Sequence, residues 1–122
     1  PLANDNPQKG YVSRSGMKLH FDDDKSILTL STPSGHSLQL DDEAGALTLQ
    51  DAHGNRIVLD SGGITLDSAG ALQLNAGTEA HVEAQTSLSV KATLDLTLEG
   101  SASAELKGGT LAKVNAALVQ IN

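Results

Sequence analysis

Hydrophobic or small residues alternate with mostly polar ones along the second half of the chain. From residue 62 to residue 118, every even-numbered position holds an aliphatic residue, glycine, alanine or a small hydroxyl residue. Successive side chains of a strand point to opposite faces, so a period of two predicts β structure with one buried and one solvated face. A phase held this long without hairpin turns indicates a β-helical rod. The charged side chains of the segment all lie at odd positions: Asp67, Glu79, Glu83, Lys91, Asp95, Glu99, Glu105, Lys107 and Lys113.

A repeat of eight residues is superimposed on this alternation. Larger apolar residues recur at one inward position, namely Leu66, Leu74, Val82, Val90, Leu98, Leu106 and Val114. Two residues later the inward residue is small, namely Ser68, Ala76, Ala84, Ala92, Gly100, Gly108 and Ala116. A fixed period is typical of a repeat architecture. The small residues predict a tight bend after each short strand, because they let the backbone approach its neighbours closely.

The first half of the chain has a less regular pattern. Residues 1–26 begin with a polar stretch rich in Asn, Pro, Gly and Ser, and we interpret them as a linker or neck that follows an absent N-terminal domain. Residues 27–61 form the irregular opening of the rod, and residues 62–122 form its regular shaft and tip. Short strands are predicted in the opening at a spacing of about ten residues, over 27–30, 37–40, 46–49 and 56–59.

The inward phase changes twice in the opening of the rod. It shifts between Leu40 and Leu47, and again between Leu59 and Ile64. A shift of one residue moves a strand's side chains to the other face, so each change requires a loop or a bulge.

Composition agrees with a narrow rod. The 122 residues include one Phe, one Tyr, one Met and no Trp, so aromatic side chains cannot fill a wide core. The absence of cysteine excludes disulfides. A net charge of −7 argues against nucleic acid as a partner, because binding phosphates requires basic patches. No apolar run approaches the roughly 20 residues that a membrane helix needs.

The number of chains in the rod follows from the length of the repeat region. A single-chain solenoid with about 24 residues per coil would complete fewer than three coils over residues 62–122, which buries little core. Three chains wound together give each strand a neighbour from another chain and confine exposed edges to the two ends. The sequence therefore favours an all-β, intertwined triple-stranded β-helix, a homotrimeric prism with an octapeptide repeat, over the single-chain solenoid.

Several segments occur in a fixed order before and after the octads: SRSGMKLHFDD at residues 13–23, TPSGHSLQLDD at 32–42, DAHGN at 51–55 with GITL at 63–66, and LVQIN at 118–122. In this order they resemble segments of VgrG-like spike proteins and of the C-terminal β-helix of contractile phage tail spikes (gpV-like). No single motif is specific, but their order before the octads is. Together they cover the chain from about residue 11 onward.

The resemblance implies a structural, membrane-puncturing spike at the tip of a contractile injection system, such as type VI secretion, a phage tail or an extracellular injection particle. In that family a PAAR-type tip protein sits on the blunt end of the helix and effectors are carried there. The tube or baseplate is joined through the absent N-terminal part. Assembly in the bacterial cytoplasm would precede injection into or through a target envelope, with transient contact with the target membrane.

The last residues depart from the alternation. After Val114 the outward positions become apolar at Ala117, Val119 and Ile121. Apolar residues on both faces of a terminus predict a tip that a partner covers. The alternative is a parity slip that turns Val119 and Ile121 inward as a plug. The candidate partner-binding residues are Leu118, Val119, Gln120, Ile121 and Asn122.

Candidate chemistry is weak elsewhere. The four histidines, His20, His36, His53 and His81, are isolated along the chain, without the spacing of metal-ligand pairs. The acidic runs at 22–24 and 41–43 are more typical of turns between strands than of cation sites. The neighbours Ser34 and His36 do not by their adjacency form a catalytic triad. We therefore predict no catalytic residue, no metal site and no cofactor, and a protein that is not an enzyme.

Two other functions remain as alternatives. A carbohydrate-active β-helical tailspike would need paired carboxylates in a groove, supported by aromatic side chains on which the sugar stacks. The shaft supplies outward carboxylates at Glu79, Glu83, Asp95 and Glu99 but contains no Tyr, Trp or Phe. The other alternative is a single-chain β-helix that assembles end to end into a scaffold.

Overall fold

Seven antiparallel strands form one sheet in which the strand order follows the chain. The computed structural model describes residues 8–122, which fall into two compact units, 8–77 and 78–122. No helix occurs in the described residues, so the expectation of an all-β chain is confirmed. All the strands lie in the first unit, and they are β1 (Gln8–Val12), β2 (Lys18–Asp22), β3 (Ile27–Ser31), β4 (Ser37–Asp41), β5 (Ala46–Gln50), β6 (Arg56–Asp60) and β7 (Gly63–Asp67).

The four strands predicted between residues 27 and 61 are confirmed as β3 to β6, each ending one residue later than expected. The sheet begins earlier than the predicted opening of the rod, because β1 and β2 lie within residues 1–26. The sequence signal there is weak: Gly10 interrupts the apolar alternation of β1. Residues 1–7 of the predicted linker lie outside the described residues.

The sheet is built from a repeat of 19 residues that our sequence analysis missed. Residues 13–31, 32–50 and 51–67 each contain a five-residue loop, a strand, a short turn and a second strand. The aligned segments FDDDKSILTLS, LDDEAGALTLQ and LDSGGITLD show the likeness, and the third turn is two residues shorter. The spacing of about ten residues that the sequence predicted is half of this repeat.

Five-residue loops of one design join the strands at one edge of the sheet. They span residues 13–17, 32–36 and 51–55, and in each the first amide donates to the fifth carbonyl over 2.8 to 3.1 Å. The fourth residue is always a glycine with positive φ, Gly16, Gly35 or Gly54. A left-handed residue after a turn is what this loop type requires, and glycine adopts it without steric cost.

Shorter turns at the opposite edge explain the changes of phase. These turns contain an even number of residues and span 23–26, 42–45 and 61–62. Each pair of residues across such a turn therefore joins an even-numbered with an odd-numbered position, which is the change of phase seen in the sequence. The changes predicted after Leu40 and after Leu59 are therefore confirmed as turns. Each turn follows an aspartate whose Oδ1 accepts a backbone amide hydrogen bond: Asp22 from Lys25 (3.2 Å), Asp41 from Ala44 (2.9 Å) and Asp60 from Gly62 (2.9 Å). The acidic runs are turns, as expected.

Ser26 adopts a left-handed conformation that its repeat equivalent Gly45 adopts at no steric cost. Ser26 has φ of 55° and Gly45 has φ of 68°. We expect Ser26→Gly to stabilise each chain by about 0.5 kcal/mol, because relief of the left-handed penalty exceeds the added entropy of glycine. Gly45→Ala should destabilise by about 1 kcal/mol, although its Cβ would enter open space. Urea unfolding at one fixed protein concentration measures both, and a destabilising Ser26→Gly would contradict the argument.

The second half of the chain bends every eight residues. Bends begin at residues 69, 77, 85, 93, 101, 109 and 117, each directly after a small residue of the octad. A Cβ added at Gly100 would collide with the Ser103 carbonyl, and one at Gly108 would collide with the Leu111 carbonyl. The prediction of one bend in every eight residues is confirmed, and Gly100 and Gly108 lie at bends that leave no room for a Cβ atom.

Candidate interaction surface

One face of the sheet carries almost only large apolar side chains. Residues paired across antiparallel strands point to the same side, so the strand register assigns every side chain to a face. Two rows cross all seven strands: Tyr11, Leu19, Leu30, Leu38, Leu49, Ile57 and Leu66 form one, and Lys9, Phe21, Leu28, Leu40, Leu47, Leu59 and Ile64 form the other. We call the apolar members of these rows the apolar face. The row between them on the opposite side is mainly polar and small: Gly10, His20, Thr29, Gln39, Thr48, Val58 and Thr65.

No part of residues 8–122 covers the apolar face. Leu30, Leu40, Leu49 and Leu59 are each 38 to 47% exposed. Two open grooves of about 470 and 450 Å³ lie along the row that contains Leu38, Leu49 and Ile57. Contiguous apolar surface of this extent marks an interaction site, because burying it elsewhere is favourable by about 25 cal/mol per Å².

No residue among positions 8–122 is buried in the single chain. The accessible surface is 11229 Å², whereas a compact monomer of this mass would expose about 6200 Å². The described residues therefore lack a core of their own, and about 5000 Å² of surface is left that a compact fold would have buried.

Hydrogen bonds connect successive five-residue loops along one edge of the sheet. His36 Nδ1 accepts a hydrogen bond from the Ala52 amide at 3.2 Å, and Asn55 Oδ1 accepts one from the Ala69 amide at 2.7 Å. The two bonds are equivalent, because His36 and Asn55 are both the fifth residue of their loops. The ring centroids of His36 and His53 lie 6.1 Å apart. These histidines are isolated in the sequence, but the 19-residue repeat brings them together.

Asp51 holds the third loop closed. Its Oδ1 accepts hydrogen bonds from the His53 amide (2.8 Å) and the Asn55 amide (3.0 Å), and its Oδ2 accepts one from Asn55 Nδ2 (2.7 Å). The Asn55 side-chain bond is the main cause that lowers the pKa of Asp51 from 3.8 to about 2, and the backbone bonds add to it. At the opposite edge of the sheet, where the short turns lie, the pKa of Asp22 is also lowered, mainly by a side-chain hydrogen bond with Gln8.

Loss of the Asp51 charge should make the loop sensitive to acid. Because the folded pKa lies below the unfolded one, the contribution of Asp51 is fully present above about pH 4 and is lost as the pH falls through about 2. We expect Asp51→Asn to lower the Tm at pH 6, and the difference from the unmodified chain to shrink between pH 4 and 2. Thermal unfolding across this range measures it. Asp24→Asn, at an exposed turn position, is the control, and an Asp51→Asn difference that does not change with pH would contradict the prediction.

The backbone of the second half has no partners within the chain. Between residues 72 and 122, no backbone amide or carbonyl makes a hydrogen bond to another protein group. Every side chain from residue 69 onward is exposed. The ion pairs of this part are local and exposed, as in Lys107 with Glu105 at 3.1 Å, and such pairs contribute little. A segment of this length without internal backbone pairing is stabilised when other strands pair with it.

The predicted tip residues lie in the second unit without regular secondary structure. Leu118 is 79%, Val119 50% and Ile121 90% exposed, and Gln120 and Asn122 are also exposed. Whether Val119 and Ile121 point inward or outward in an assembly stays a prediction.

Among residues 8–122, no three His, Cys, Asp or Glu side chains gather in a way that would hold a metal ion. The described residues also lack any helix that would cross a bilayer.

An apolar sheet face, a segment without backbone hydrogen bonds and the lack of any buried residue among positions 8–122 are the features expected of a structural module that associates with further polypeptide. Residues 26–122 match the family described as the phage baseplate V C-terminal trimerisation domain, and the chain belongs to this family. No curated protein matches the chain. The family is a structural baseplate domain, which supports a baseplate or spike role, a homotrimer and a place in a phage-like particle.

Proposed function

We propose that three copies of this chain form an intertwined triple-stranded β-helix that serves as the spike of a contractile injection system. The observation that carries the proposal is the unpaired backbone of residues 72–122. Three chains with the same octad phase pair these strands with one another and turn their even-numbered side chains inward. The apolar face of the sheet is buried by the same association, so both halves of the chain acquire a core.

A rod of this kind transmits axial force. Interchain strand pairing distributes the load over many backbone hydrogen bonds, and entangled chains unfold slowly, which gives kinetic stability. The outward charges of the shaft, which include Glu79, Glu83 and Lys91, keep the repetitive surface soluble. No step of this function requires a catalytic group, a metal or a cofactor.

Sedimentation equilibrium tests the trimer. We expect a mass of three times 12.5 kDa without dependence on protein concentration in the micromolar range. A monomer would exclude the spike and favour the single-chain solenoid. A polydisperse polymer would favour the end-to-end scaffold.

We further propose that residues 118–122 of three chains form the docking platform for a PAAR-type tip protein. The apolar outward residues Val119 and Ile121 support this proposal, because Leu111 is the sole large apolar side chain at the outward positions from 73 to 115. Removing residues 118–122 should abolish capture of the PAAR-type protein of the same injection system and leave the trimer intact. The matched variant Val119→Ser with Ile121→Ser tests the two outward side chains alone. Unchanged capture by both variants would reject the platform.

A further inference from the structure

Three copies of this chain need a means of setting their register, because the shaft supplies none. Sliding one chain by eight residues along its neighbours would match the row of larger inward residues from Leu66 to Val114 with itself, for example Leu74 at the level of Val82, and would place bend on bend. Strand register is poorly specified when successive positions are this similar. Nothing within a single chain restrains the slide either, because the backbone of residues 72–122 makes no internal hydrogen bonds.

The sheet of residues 8–67 has the opposite property. All its strand pairs form within one chain, and the lengths of the turns fix each register. Each copy therefore carries the same apolar face with the same register. Alignment of three such faces buries all seven strands, whereas a slip by one 19-residue unit would leave two strands uncovered and would bring the row ends, Tyr11 and Lys9, against different neighbours.

The start of the octads is fixed to this sheet. Ile64 and Leu66, the first inward residues of the octad pattern, belong to β7 and pair with Leu59 and Ile57. The following bend is held by the hydrogen bond from the Ala69 amide to Asn55 Oδ1 at 2.7 Å, and Ser68 Oγ donates to the Ala71 carbonyl at 2.8 Å. The first octad thus has a defined position within its own chain.

We infer that the seven-stranded sheet is the register-setting element of the assembly: it aligns three chains at residue 68, and the shaft then pairs from that point towards the tip. The inference rests on the proposed homotrimer. Its partner is a second and third copy of this chain, seated on the apolar face. Without the sheet, slipped pairings of the octads compete with the aligned one.

Decoupling the sheet from the shaft tests this inference in the full chain. The sequence contains no cysteine, so Ser89→Cys at an exposed outward position gives one spin label per chain. The labelled protein is refolded from denaturant, and distances between labels are measured by pulsed electron paramagnetic resonance. The labelled chain without an insertion should give one narrow distribution of label-to-label distances. An eight-residue Gly-Ser insertion between Gly77 and Thr78, which permits a slip of one octad, should add further distances.

The same insertion between Glu43 and Ala44 is the matched control, because it lengthens a turn without separating sheet from shaft. It should keep the single distance. A milder variant, Asn55→Ala, removes the acceptor for the Ala69 amide and should produce a minor slipped population even if the insertion after Gly77 prevents folding. A single narrow distance in a trimer of every variant would overturn the inference. A monomeric parent chain would instead overturn the homotrimer itself.

Discussion

Leu49→Asp is expected to abolish assembly. Leu49 lies in the middle of the apolar face, where it pairs with Leu38 and Ile57 across the two neighbouring strands. In a trimer this substitution places three carboxylates in an apolar interior, and each costs several kcal/mol without a partner. We expect the dissociation constant to rise at least a thousandfold, which corresponds to about 4 kcal/mol. Sedimentation velocity should show monomers and aggregates in place of the trimer.

The adjacent residue provides a matched control for this substitution. Thr48 lies on the same strand with its side chain on the opposite face, where it pairs with Gln39 and Val58. Thr48→Asp introduces the same charge on a solvated surface, and we expect a change within about 0.5 kcal/mol. Equal effects of the two substitutions would show that the apolar face is not the interface.

Deleting the single residue Gln85 should disrupt the shaft from that point to its end. The deletion moves every later residue to the other face, so charged residues at odd positions turn inward. The side chains that become internal are Lys91, Asp95, Glu99, Glu105, Lys107 and Lys113. Because burying each one unpaired costs several kcal/mol, no local adjustment compensates for them. Hydrogen exchange should show protection lost beyond residue 85, while the sheet of residues 8–67 remains protected.

A longer deletion should do less harm. Removing residues 85–92 takes out one complete octad and joins Ala84 to Thr93, so the bend at 93 replaces the bend at 85 and the phase is unchanged. We expect a shorter trimer with protected amides throughout. If the loss of one residue and the loss of eight were equally harmful, the octad would not be the unit of the shaft.

Much of the fold is readable from the sequence because its signals are periodic. Alternation identified the strands β3 to β6, and the small residues at every eighth position identified the bends. The resemblance to spike proteins pointed to the family that the chain belongs to. These features depend on local side-chain size and polarity, which a single sequence displays directly.

Other features of the fold could not be predicted from the sequence, because they depend on contacts between distant residues. Strand β1 has few apolar residues, so its composition does not identify it as a strand. It is recognised by its antiparallel pairing with β2, which the sequence alone does not display. The contact between His36 and His53, 17 positions apart, depends on how two loops lie side by side at one edge of the sheet. Strict aspartate spacing at Asp22, Asp41 and Asp60 was a signal of the 19-residue repeat, but the two-residue shortening of the third turn obscured it.

The 19-residue unit is the smallest segment whose duplication would enlarge the sheet without changing its pattern. Each unit adds one loop of odd length and one turn of even length, and it returns the chain to the same edge of the sheet with the same face. A gene duplication of one unit would widen the sheet by two strands while leaving both the apolar rows and the phase of the octads unbroken. The length of the chain can therefore change in two increments, 19 residues before residue 68 and eight after it.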